Sequence, residues 1–318
     1  MNFTLRQLEL FAALPDHPTL AAAASALHIS ESALSHAVTE LERGVGEQLC
    51  IRRKARGLSL TPAGQHFAAR ARQLLREAAE LSNELSNARG RLRGPVTLGC
   101  YTGLATNVIP PVMEGFPAEH PHVAISVVVG ADDDLLPALH TGRLDVAIVY
   151  DMLLPPGLHQ QVIYETEVMA VLPADHRLAR EQSVALADLA PEPLIMLDST
   201  PSTANTHRVF REAGLTPNLF AAVPMIELVR ALVGRGLGYS LLMSRPNSVD
   251  ITADGRRIVT RPLHPATGLT TVVAVWPENI TLTLRTQAVI DHMATTMLRI
   301  TGGAGPDQQG VGPSWSRT

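Results

Sequence analysis

Cysteine is scarce in this sequence: the 318 residues contain two, Cys50 and Cys100, and they form no Cys-x-x-Cys pair. A disulfide framework and a zinc ribbon are therefore not expected. No apolar run reaches the roughly 18 residues of a membrane span, and the first ten residues lack the apolar core and the cleavage site of a signal peptide. These absences favour a protein of the reducing cytoplasm that has no membrane partner.

The chain also lacks a large excess of either charge, since its formal net charge is -4. That average hides an uneven distribution. Residues 1–94 hold 12 Lys and Arg against 9 Asp and Glu, whereas residues 95–318 hold 14 against 21. A mildly basic front and an acidic back indicate that the two parts have different tasks.

The motifs of common enzyme classes are missing as well. The sequence contains no His-Glu-x-x-His, no Walker sequence and no G-x-G-x-x-G after a predicted strand. Gly238-x-Ser240 lacks the final glycine of a nucleophile elbow, because Leu242 stands there. His120 and His122 flank a proline and are interpreted as surface histidines. We therefore expect no enzyme, no cofactor and no metal site.

The first 60 residues predict short helices. Thr4 and Gln7 have the spacing of a capping box, Thr19 is placed to cap a helix over 20–27, and Ser30 to cap one over 31–43 that stops at Gly44. Apolar residues at helical spacing predict a small core between two crossing helices: Ala23, Leu27, Ile29, Leu34, Val38 and Leu41. Two short helices joined by a tight connection form a helix-turn-helix.

A basic segment and a long helix follow. Four basic residues fall in five positions, and the glycine after them allows a hairpin turn, which predicts a β-wing: Arg52, Arg53, Lys54 and Arg56. A helix is then predicted from Pro62 to about Arg89, with one heptad series and a second series offset from it: Phe67, Leu74, Leu81 and Ala88, then Ala71, Ala78 and Leu85. This spacing favours a dimerisation helix, and the alternative is a helix packed on its own core.

The remainder of the chain alternates between strands and helices after a hinge at 89–95. Strands are predicted at 96–99, 123–129, 144–149, 168–172, 194–196, 219–223, 239–243 and 271–276, and a last helix at 283–299. The first three strands have βαβαβ order, which predicts a parallel sheet with helices on both faces. Residues 301–318 are rich in Gly, Pro, Ser and Gln and are predicted to be disordered.

This order of motifs resembles the LysR-type transcriptional regulators. The resemblance is carried by TLAAAASALHISESALSHAVTELE at 19–42, by Leu60-Thr61-Pro62-Ala63-Gly64, and by Gly142-x-Leu144-Asp145 and Gly236-Leu237-Gly238. The chain departs from the family at a few positions of the helix-turn-helix and wing: Ala22, Glu31, His36, Ala37 and Cys50. These departures concern base specificity and affinity rather than the fold.

The resemblance implies an α/β protein with an N-terminal winged helix-turn-helix, a long dimerisation helix and a two-lobed effector domain like the periplasmic binding proteins. The expected bounds are 1–61 for the DNA-binding domain, 62–90 for the helix, 91–300 for the effector domain and 301–318 for the tail. Lobe I is expected at about 95–163 and 268–300, and lobe II at about 164–267.

The resemblance also implies a sequence-specific, cytoplasmic regulator that binds double-stranded DNA and a small-molecule effector. The operator is expected to be near-palindromic, and the assembly a homodimer with a homotetramer as the alternative. The DNA contacts are expected from the N-terminal half of the third helix and from the wing: Ser30, Glu31, Ser32, Ser35, His36, Arg52, Arg53, Lys54 and Arg56. Ser30 is expected to cap the helix as well, and Glu31 either reads a base or stabilises the helix dipole.

Ligands of open α/β sheets bind beyond the carboxyl ends of strands. That rule predicts an effector site, for which a carboxylate metabolite is the expected ligand: Tyr101, Thr102, Gly130, Ala131, Ser199, Thr200, Ser202 and Met225. Thr102 and Ser202 are expected on the two sides of the cleft, although the hydroxyls at 199–202 also suit a helix cap. The acidic run 132–134 suits either a cationic ligand or, as we favour, an exposed helix start.

Two other classes of function remain as alternatives. A transporter's solute-binding protein would share the back half of the chain but not the helix-turn-helix. A catalytic domain fused to a DNA module would need a catalytic constellation. A redox-sensing role for Cys100 is disfavoured because no partner thiol is near in sequence.

Overall fold

The structure is a computed structural model of the chain, and it describes residues 3–53, 57–87, 92–245 and 250–302. For residues 52, 53, 57 and 80–87 it describes the backbone alone. Several expectations fall outside the described residues: those on Lys54, Arg56, Ala88 at the end of the predicted heptad series, the hinge residues 89–91 and the tail residues 303–318.

The N-terminal helices begin where their caps were predicted. They are α1 (Leu5–Ala12), α2 (Leu20–Ala26) and α3 (Glu31–Val45). The side chain of Thr4 accepts a hydrogen bond from the Gln7 amide, and the Ser30 hydroxyl accepts one from the Ala33 amide at 3.1 Å. The predicted stop at Gly44 is wrong, because α3 continues to Val45. The helix ends at Gly46, whose φ of 81° is a left-handed conformation that favours glycine.

The wing and the long helix follow in the predicted order. Strands β1 (Cys50–Arg53) and β2 (Gly57–Leu60) pair antiparallel, and α4 runs over Pro62–Asn87. Gly64 lets α4 approach the wing closely, since a Cβ there would lie 2.0 Å from the Leu49 carbonyl oxygen. Thr61 begins the helix, its hydroxyl accepting from the Gly64 amide at 2.9 Å.

The first turns of α4 pack against α1 within the same chain. Phe67 lies edge-on to Phe11, with ring centroids 5.6 Å apart, and Ala71 is buried in the same core. The predicted heptad seam therefore has an intramolecular role at Phe67 and Ala71. Leu74, one turn further on, is 40% exposed.

The remainder of the described chain forms two lobes. Its elements in chain order are β3 (Gly94–Tyr101), α5 (Thr102–Glu119), β4 (Val123–Gly130), α6 (Asp132–His140), β5 (Val146–Tyr150), β6 (Leu158–Pro173), β7 (Val184–Ala185), α7 (Leu186–Leu189), β8 (Pro193–Leu197), α8 (Ser202–Glu212), β9 (Asn218–Val223), α9 (Ile226–Gly234), β10 (Ser240–Met243), β11 (Ile258–His264), β12 (Leu269–Pro277) and α10 (Leu284–Thr301). Sequence analysis missed β7, β11 and the first half of β6.

The sheet of lobe I has the order β4-β3-β5-β12-β6. Strands β3, β4 and β5 are parallel, whereas β12 runs antiparallel to both β5 and β6. The prediction of a parallel sheet is therefore correct for the βαβαβ unit and wrong for the whole sheet. Strand β12 returns from lobe II and runs against the others, whereas β6, which leads into lobe II, runs parallel to β3, β4 and β5.

Strand β6 connects the lobes without a break. Its residues up to Glu167 pair with β12, and those from Val168 onward pair with β10 and β11 in lobe II. The sequence-predicted strand at 168–172 is the buried part in lobe II, and the lobe I part escaped notice because polar residues interrupt it. β8 and β9 pair parallel and complete lobe II.

Helix α5 packs in the core of lobe I. It is continuous although it contains Pro110, Pro111 and Pro117. Its buried residues include a row at i, i+4 spacing, which packs in the lobe I core: Leu104, Val108, Val112 and Phe116. This burial offsets the backbone hydrogen bonds that the prolines remove. Among the described residues, no helix has both the length and the apolar character of a membrane span.

Candidate DNA interface and inter-lobe cleft

Helix α3 has a buried face and an exposed polar edge. Leu34, Val38 and Leu41 are each 1% exposed or less and pack in the core of the N-terminal domain. The five predicted contact residues lie together at the N-terminal end of α3: Ser30, Glu31, Ser32, Ser35 and His36. Four of them are exposed, and Ser35 is half-buried. A core that fixes one face of a short helix holds the other face in a defined position.

The polar atoms of this edge are partly organised by one another. The Ser30 hydroxyl caps the helix and also lies 3.0 Å from that of Ser32. His36 Nε2 is 3.9 Å from Glu40, which binds Arg43 at 2.6 Å. Glu31 lies in the first turn, where a negative charge stabilises the helix dipole. This placement leaves both predicted roles of Glu31 open.

Glu42 positions the wing, a role that sequence analysis did not assign. Its Oε1 accepts hydrogen bonds from the amides of Leu49 and Cys50, at 2.8 and 2.9 Å. The carboxylate at the C-terminal end of α3 thereby holds the first residue of β1. The Leu-Glu pair that ends the helix-turn-helix motif was the available sequence signal.

The basic wing is described in part. Arg52 and Arg53 lie on β1, opposite Leu58 and Gly57 of β2. Their backbone follows the segment that Glu42 holds. The predicted phosphate contacts of these arginines stay predictions, as do those of Lys54 and Arg56.

A narrow cleft lies between the two lobes, with about 20 Å³ of free space, on the order of one water molecule. Its lining comes from the ends of strands and the starts of helices in both lobes: Tyr101, Gly103, Tyr150, Met152, Val168, Leu197, Ser202, Asn205, Thr206, Ile226, Leu241, Leu242, Met243 and Arg245. The mixture of an apolar wall with a few polar groups is typical of small-molecule sites, although a ligand larger than water enters this cleft only if the lobes or the lining side chains move apart.

Side-chain hydrogen bonds between described residues cross from one lobe to the other. The Tyr101 hydroxyl lies 2.8 Å from Ser202 Oγ, and Thr200 donates to Asp133 at 3.1 Å. Arg245 Nη2 donates to Thr106 Oγ1 at 2.8 Å. Across the cleft the lobes are joined by a few polar bonds between side chains, in addition to strand β6, which runs through both, and Met243, which packs on the lobe I core.

The eight sequence-predicted cleft residues fall into three groups. Tyr101 and Ser202 line the cleft and bind each other. Ser199 interacts with the Tyr101 hydroxyl, and Thr200 forms the bond to Asp133. The structure does not place the other four in the lining: Thr102, Gly130, Ala131 and Met225. Thr102 is exposed although it follows a strand, because the preceding residue, Tyr101, turns its side chain to lobe II.

Sequence analysis missed most of the polar lining. Tyr150 ends β5, Asn205 and Thr206 lie on α8, and Arg245 follows β10. The strand-end rule that selected Tyr101 also applies to β5 and β10, so Tyr150 and Arg245 had a signal. Asn205 and Thr206 face the cleft from within helix α8, and the strand-end rule does not apply to residues inside a helix.

Asp132 is buried, contrary to the expected exposed helix start. It is 4% exposed, and its Oδ1 has no hydrogen-bond partner among the described residues. Burial, helped by the neighbouring Asp133, raises the pKa of Asp132 to about 7. Asp133 and Asp134 are exposed, as expected.

Cys100 lies in the core at the end of β3. Burial raises the pKa of its thiol to about 12, and Sγ donates to the carbonyl of Tyr101 at 3.6 Å. Such a thiol stays protonated at neutral pH and is a poor nucleophile. Cys50 is buried as well.

Comparisons with known proteins agree with this architecture. Residues 5–65 match the family model described as "Bacterial regulatory helix-turn-helix protein, lysR family", and residues 89–298 match the model "LysR substrate binding domain". The second match alone spans more than half of the chain.

Individual relatives extend over both regions. The chain is 32% identical over 235 residues to the HTH-type transcriptional regulator MetR of Salmonella typhimurium, covering 73% of this chain and 72% of that protein. It is 30% identical to a probable hydrogen peroxide-inducible genes activator of Streptomyces viridosporus, covering 83% and 85%. The crystal structure of HinK from Pseudomonas aeruginosa has 34% identity and a TM-score of 0.62, covering 93% of this chain and 98% of that one.

Proposed function

The chain belongs to the LysR family of transcriptional regulators, and from this premise we propose that it reads a near-palindromic operator as a homodimer and responds to a small carboxylate between its lobes. That it is a DNA-binding regulator with an effector-binding domain follows from the family. The form of the operator, the size of the assembly, the effector class and the contact residues are our proposal. The observation that carries it is the exposed polar edge of α3, set on a buried core beside the wing.

We assign base reading to the N-terminal edge of α3. Small hydroxyl and carboxylate side chains there allow a close approach to base edges: Ser30, Glu31, Ser32 and Ser35, together with His36. We assign phosphate contacts to the wing residues Arg52, Arg53, Lys54 and Arg56, which add affinity without sequence choice.

The homodimer is supported by the surface of α4. The helix packs on α1 through Phe67 and Ala71, but Leu74 is 40% exposed within one chain. A seam that begins at Leu74 would pair two chains and place two recognition helices on one face of the duplex, which explains a near-palindromic operator. A homotetramer is the alternative.

We assign effector binding to the inter-lobe cleft, with Tyr101 and Ser202 as the contacts shared by both lobes. Ser199 and Thr200 border these contacts, and the predicted residues Thr102, Gly130, Ala131 and Met225 lie at neighbouring strand and helix ends. A ligand that contacts both lobes favours their closed arrangement by its higher affinity for that state.

We infer a regulator and not an enzyme, acting in the cytoplasm. In the part of the chain that the structure describes, the Ser202 hydroxyl binds the Tyr101 hydroxyl rather than the base that an activated nucleophile needs. Burial raises the pKa of Tyr101, so that hydroxyl stays neutral. The named relatives are transcriptional regulators.

One relative is named as a probable hydrogen peroxide-inducible genes activator. We do not extend peroxide sensing to this chain. Cys100 is buried with its pKa raised to about 12, whereas a sensing thiol is exposed and readily ionised.

The test begins by selecting duplexes from a random library with the full-length protein. Affinity for the selected and a scrambled duplex is then measured over a range of salt concentrations. Arg52→Ala should weaken both duplexes about equally and lower the salt slope by about one. Ser32→Ala should instead change the preference between duplexes.

Arg211→Ala is the matched control, because it removes one exposed positive charge from lobe II. It should leave the affinity and the slope unchanged. A slope that Arg52→Ala does not lower, or that Arg211→Ala lowers equally, would contradict the assignment of the wing to phosphates.

A further inference from the structure

We propose that Arg245 is the anion-recognition residue of the inter-lobe cleft, and that it selects a small monoanion with an apolar body by exchanging Glu227 for the anion. This inference rests on the proposed function of the cleft as the effector site. It names the residue that sets the ligand class and the step that couples binding to lobe contact.

The charge of the lining is the first argument. Among the described residues that line the cleft, Arg245 is the one with a charged side chain. The neutral polar groups are Tyr101, Tyr150, Ser202, Asn205 and Thr206. A guanidinium remains protonated at any physiological pH, so the lining carries a positive charge that favours an anion.

The donors of Arg245 are the second argument. Nη1 donates to Glu227 Oε1 at 3.2 Å, and Nη2 donates to Thr106 Oγ1 at 2.8 Å. The Nε atom is buried and has no hydrogen-bond partner among the described residues. A buried donor without a partner is costly, and a carboxylate bridging Nε and a terminal nitrogen would satisfy it in bidentate geometry.

Glu227 is a counterion that can be exchanged. Its side chain is 45% exposed, whereas those of Arg245 and Arg230 are 11% and 5% exposed. Its other oxygen lies 3.7 Å from Arg230 Nε, so one carboxylate serves two guanidinium groups. Asp250 also favours the charged form of Arg230. Glu227 can therefore leave Arg245 for a ligand while it keeps an ionic partner.

The N-terminal end of α5 lies beside Arg245 in the cleft. Gly103, in the first turn of this 18-residue helix, lines the cleft, and Thr106 accepts the bond from Arg245. A Cβ at position 103 would lie 2.7 Å from the Tyr101 ring, so glycine keeps the backbone open at this point. The positive end of the helix dipole adds to the preference for an anion.

The body of the ligand follows from the other wall. That wall is apolar and comes mainly from lobe II: Met152, Val168, Leu197, Ile226, Leu241, Leu242 and Met243. Burial of a hydrocarbon body there is favourable, whereas a second charge would lack a partner. The chemistry of the lining therefore matches a monocarboxylate with an aliphatic or aromatic body, which the cleft admits once the lobes move apart.

Arg245 also couples the ligand to lobe contact, since it belongs to lobe II and binds Thr106 of lobe I. An anion on the same guanidinium restrains it beside α5. Binding then restrains one of the bonds between the lobes and favours an arrangement in which both lobes contact the ligand.

The experiment measures thermal unfolding of the full-length chain with hexanoate, 4-methylpentanoate and phenylacetate, each beside its neutral amide. At least one acid should stabilise the wild type, and its amide should not. Arg245→Gln should weaken that acid at least tenfold, since a charge-assisted hydrogen bond is lost. Arg245→Lys should bind between the two, because it keeps the charge and loses the bidentate fork.

Two further variants separate recognition from structure. Glu227→Gln should tighten binding by several-fold, since it removes the competing carboxylate, and a merely structural role for Arg245 predicts no gain. Arg211→Gln is the control and should bind as the wild type does. The proposal is overturned if none of the acids stabilises the wild type, if an amide binds as well as its acid, or if Arg245→Gln keeps wild-type affinity.

Operator binding is measured on the same preparations. If no acid acts but the protein still binds its operator and responds there to another ligand, the proposal for Arg245 fails and the proposed function stands. Absence of salt-dependent operator binding removes the proposed function itself.

Discussion

The DNA-reading edge and the inter-lobe cleft are built in opposite ways. The edge takes its five residues from one stretch, Ser30–His36, on a single helix with a buried back. The cleft takes its lining from positions as distant as Tyr101 and Arg245, on eight different elements or the segments after them. The first is a local property of a helix, and the second exists only when the two lobes meet.

The two regions also differ in what holds them. The edge is fixed by an apolar core of fully buried side chains. Apart from strand β6, which they share, the lobes meet across the cleft mainly through side-chain bonds, each of which contributes about 1 kcal/mol. A close-packed core favours one arrangement, whereas a few polar bonds allow two. The difference suits a rigid reader joined to a responsive sensor.

The largest expected effect is on DNA binding, with the effector domain left intact. Leu74→Asp combined with Leu81→Asp would place unpaired charges in the proposed seam between two chains. We expect sedimentation to show monomers and operator affinity to fall by about a hundredfold or more, because two half-sites are then bound separately. Amide exchange of β5 should remain unchanged.

The control for this variant carries the same two substitutions at exposed leucines outside α4. Leu153 and Leu284 are 73% and 62% exposed, and Asp at both should leave the assembly and DNA affinity intact. An intact dimer in the Leu74 and Leu81 variant would mean that α4 packs on its own chain only.

The second prediction concerns a buried acid of the effector domain, for which the DNA edge has no counterpart. The pKa of Asp132 is raised to about 7 by burial, with Asp133 adding to it. In the unfolded chain the carboxyl ionises near pH 4. The folded state therefore prefers the protonated form, and wild-type stability should fall as the pH rises from about 4 to about 7.

Asp132→Asn removes the buried charge. At pH 8 it should be more stable than the wild type by up to about 4 kcal/mol, the value of roughly three pKa units, and the gain should vanish near pH 4. Urea unfolding at both pH values measures this difference, with the exposed Asp134→Asn as control. An equal gain in stability at both pH values would contradict the raised pKa of Asp132, because the gain would then not depend on ionisation of its carboxyl.

The sequence predicted local features well because their causes are local. The caps at Thr4, Thr19 and Ser30 depend on residues three positions apart, and all three form. The exposed edge of α3 follows from the period of Leu34, Val38 and Leu41. The same reasoning misplaced the end of α3, since a glycine within a helix and a glycine that ends it differ only in φ.

Features that depend on contact between distant segments escaped the sequence. Asp132 was expected to be exposed because it begins an acidic run, and its burial depends on the packing of α6 against the sheet. Tyr101 and Thr102 are adjacent, and only the position of lobe II decides which of them faces the cleft. Arg245 follows a strand end and so had a local signal, but its bond to Thr106, 139 positions away, has none in the sequence.

The smallest expected effect sharpens the comparison at a single bond. The Tyr101 hydroxyl and Ser202 Oγ lie 2.8 Å apart and join lobe I to lobe II. A double-mutant cycle of Tyr101→Phe and Ser202→Ala, measured by urea unfolding, should give a coupling energy of about 0.5–1 kcal/mol. The phenyl ring keeps its buried packing, so the coupling reports the hydroxyl pair rather than the core. Tyr239→Phe paired with Ser202→Ala is the control, since the Tyr239 hydroxyl has no hydrogen-bond partner among the described residues, and it should be additive. Additive effects for Tyr101 and Ser202 as well would mean that this bond does not hold the lobes, and that Arg245 and Thr200 carry the contact between them.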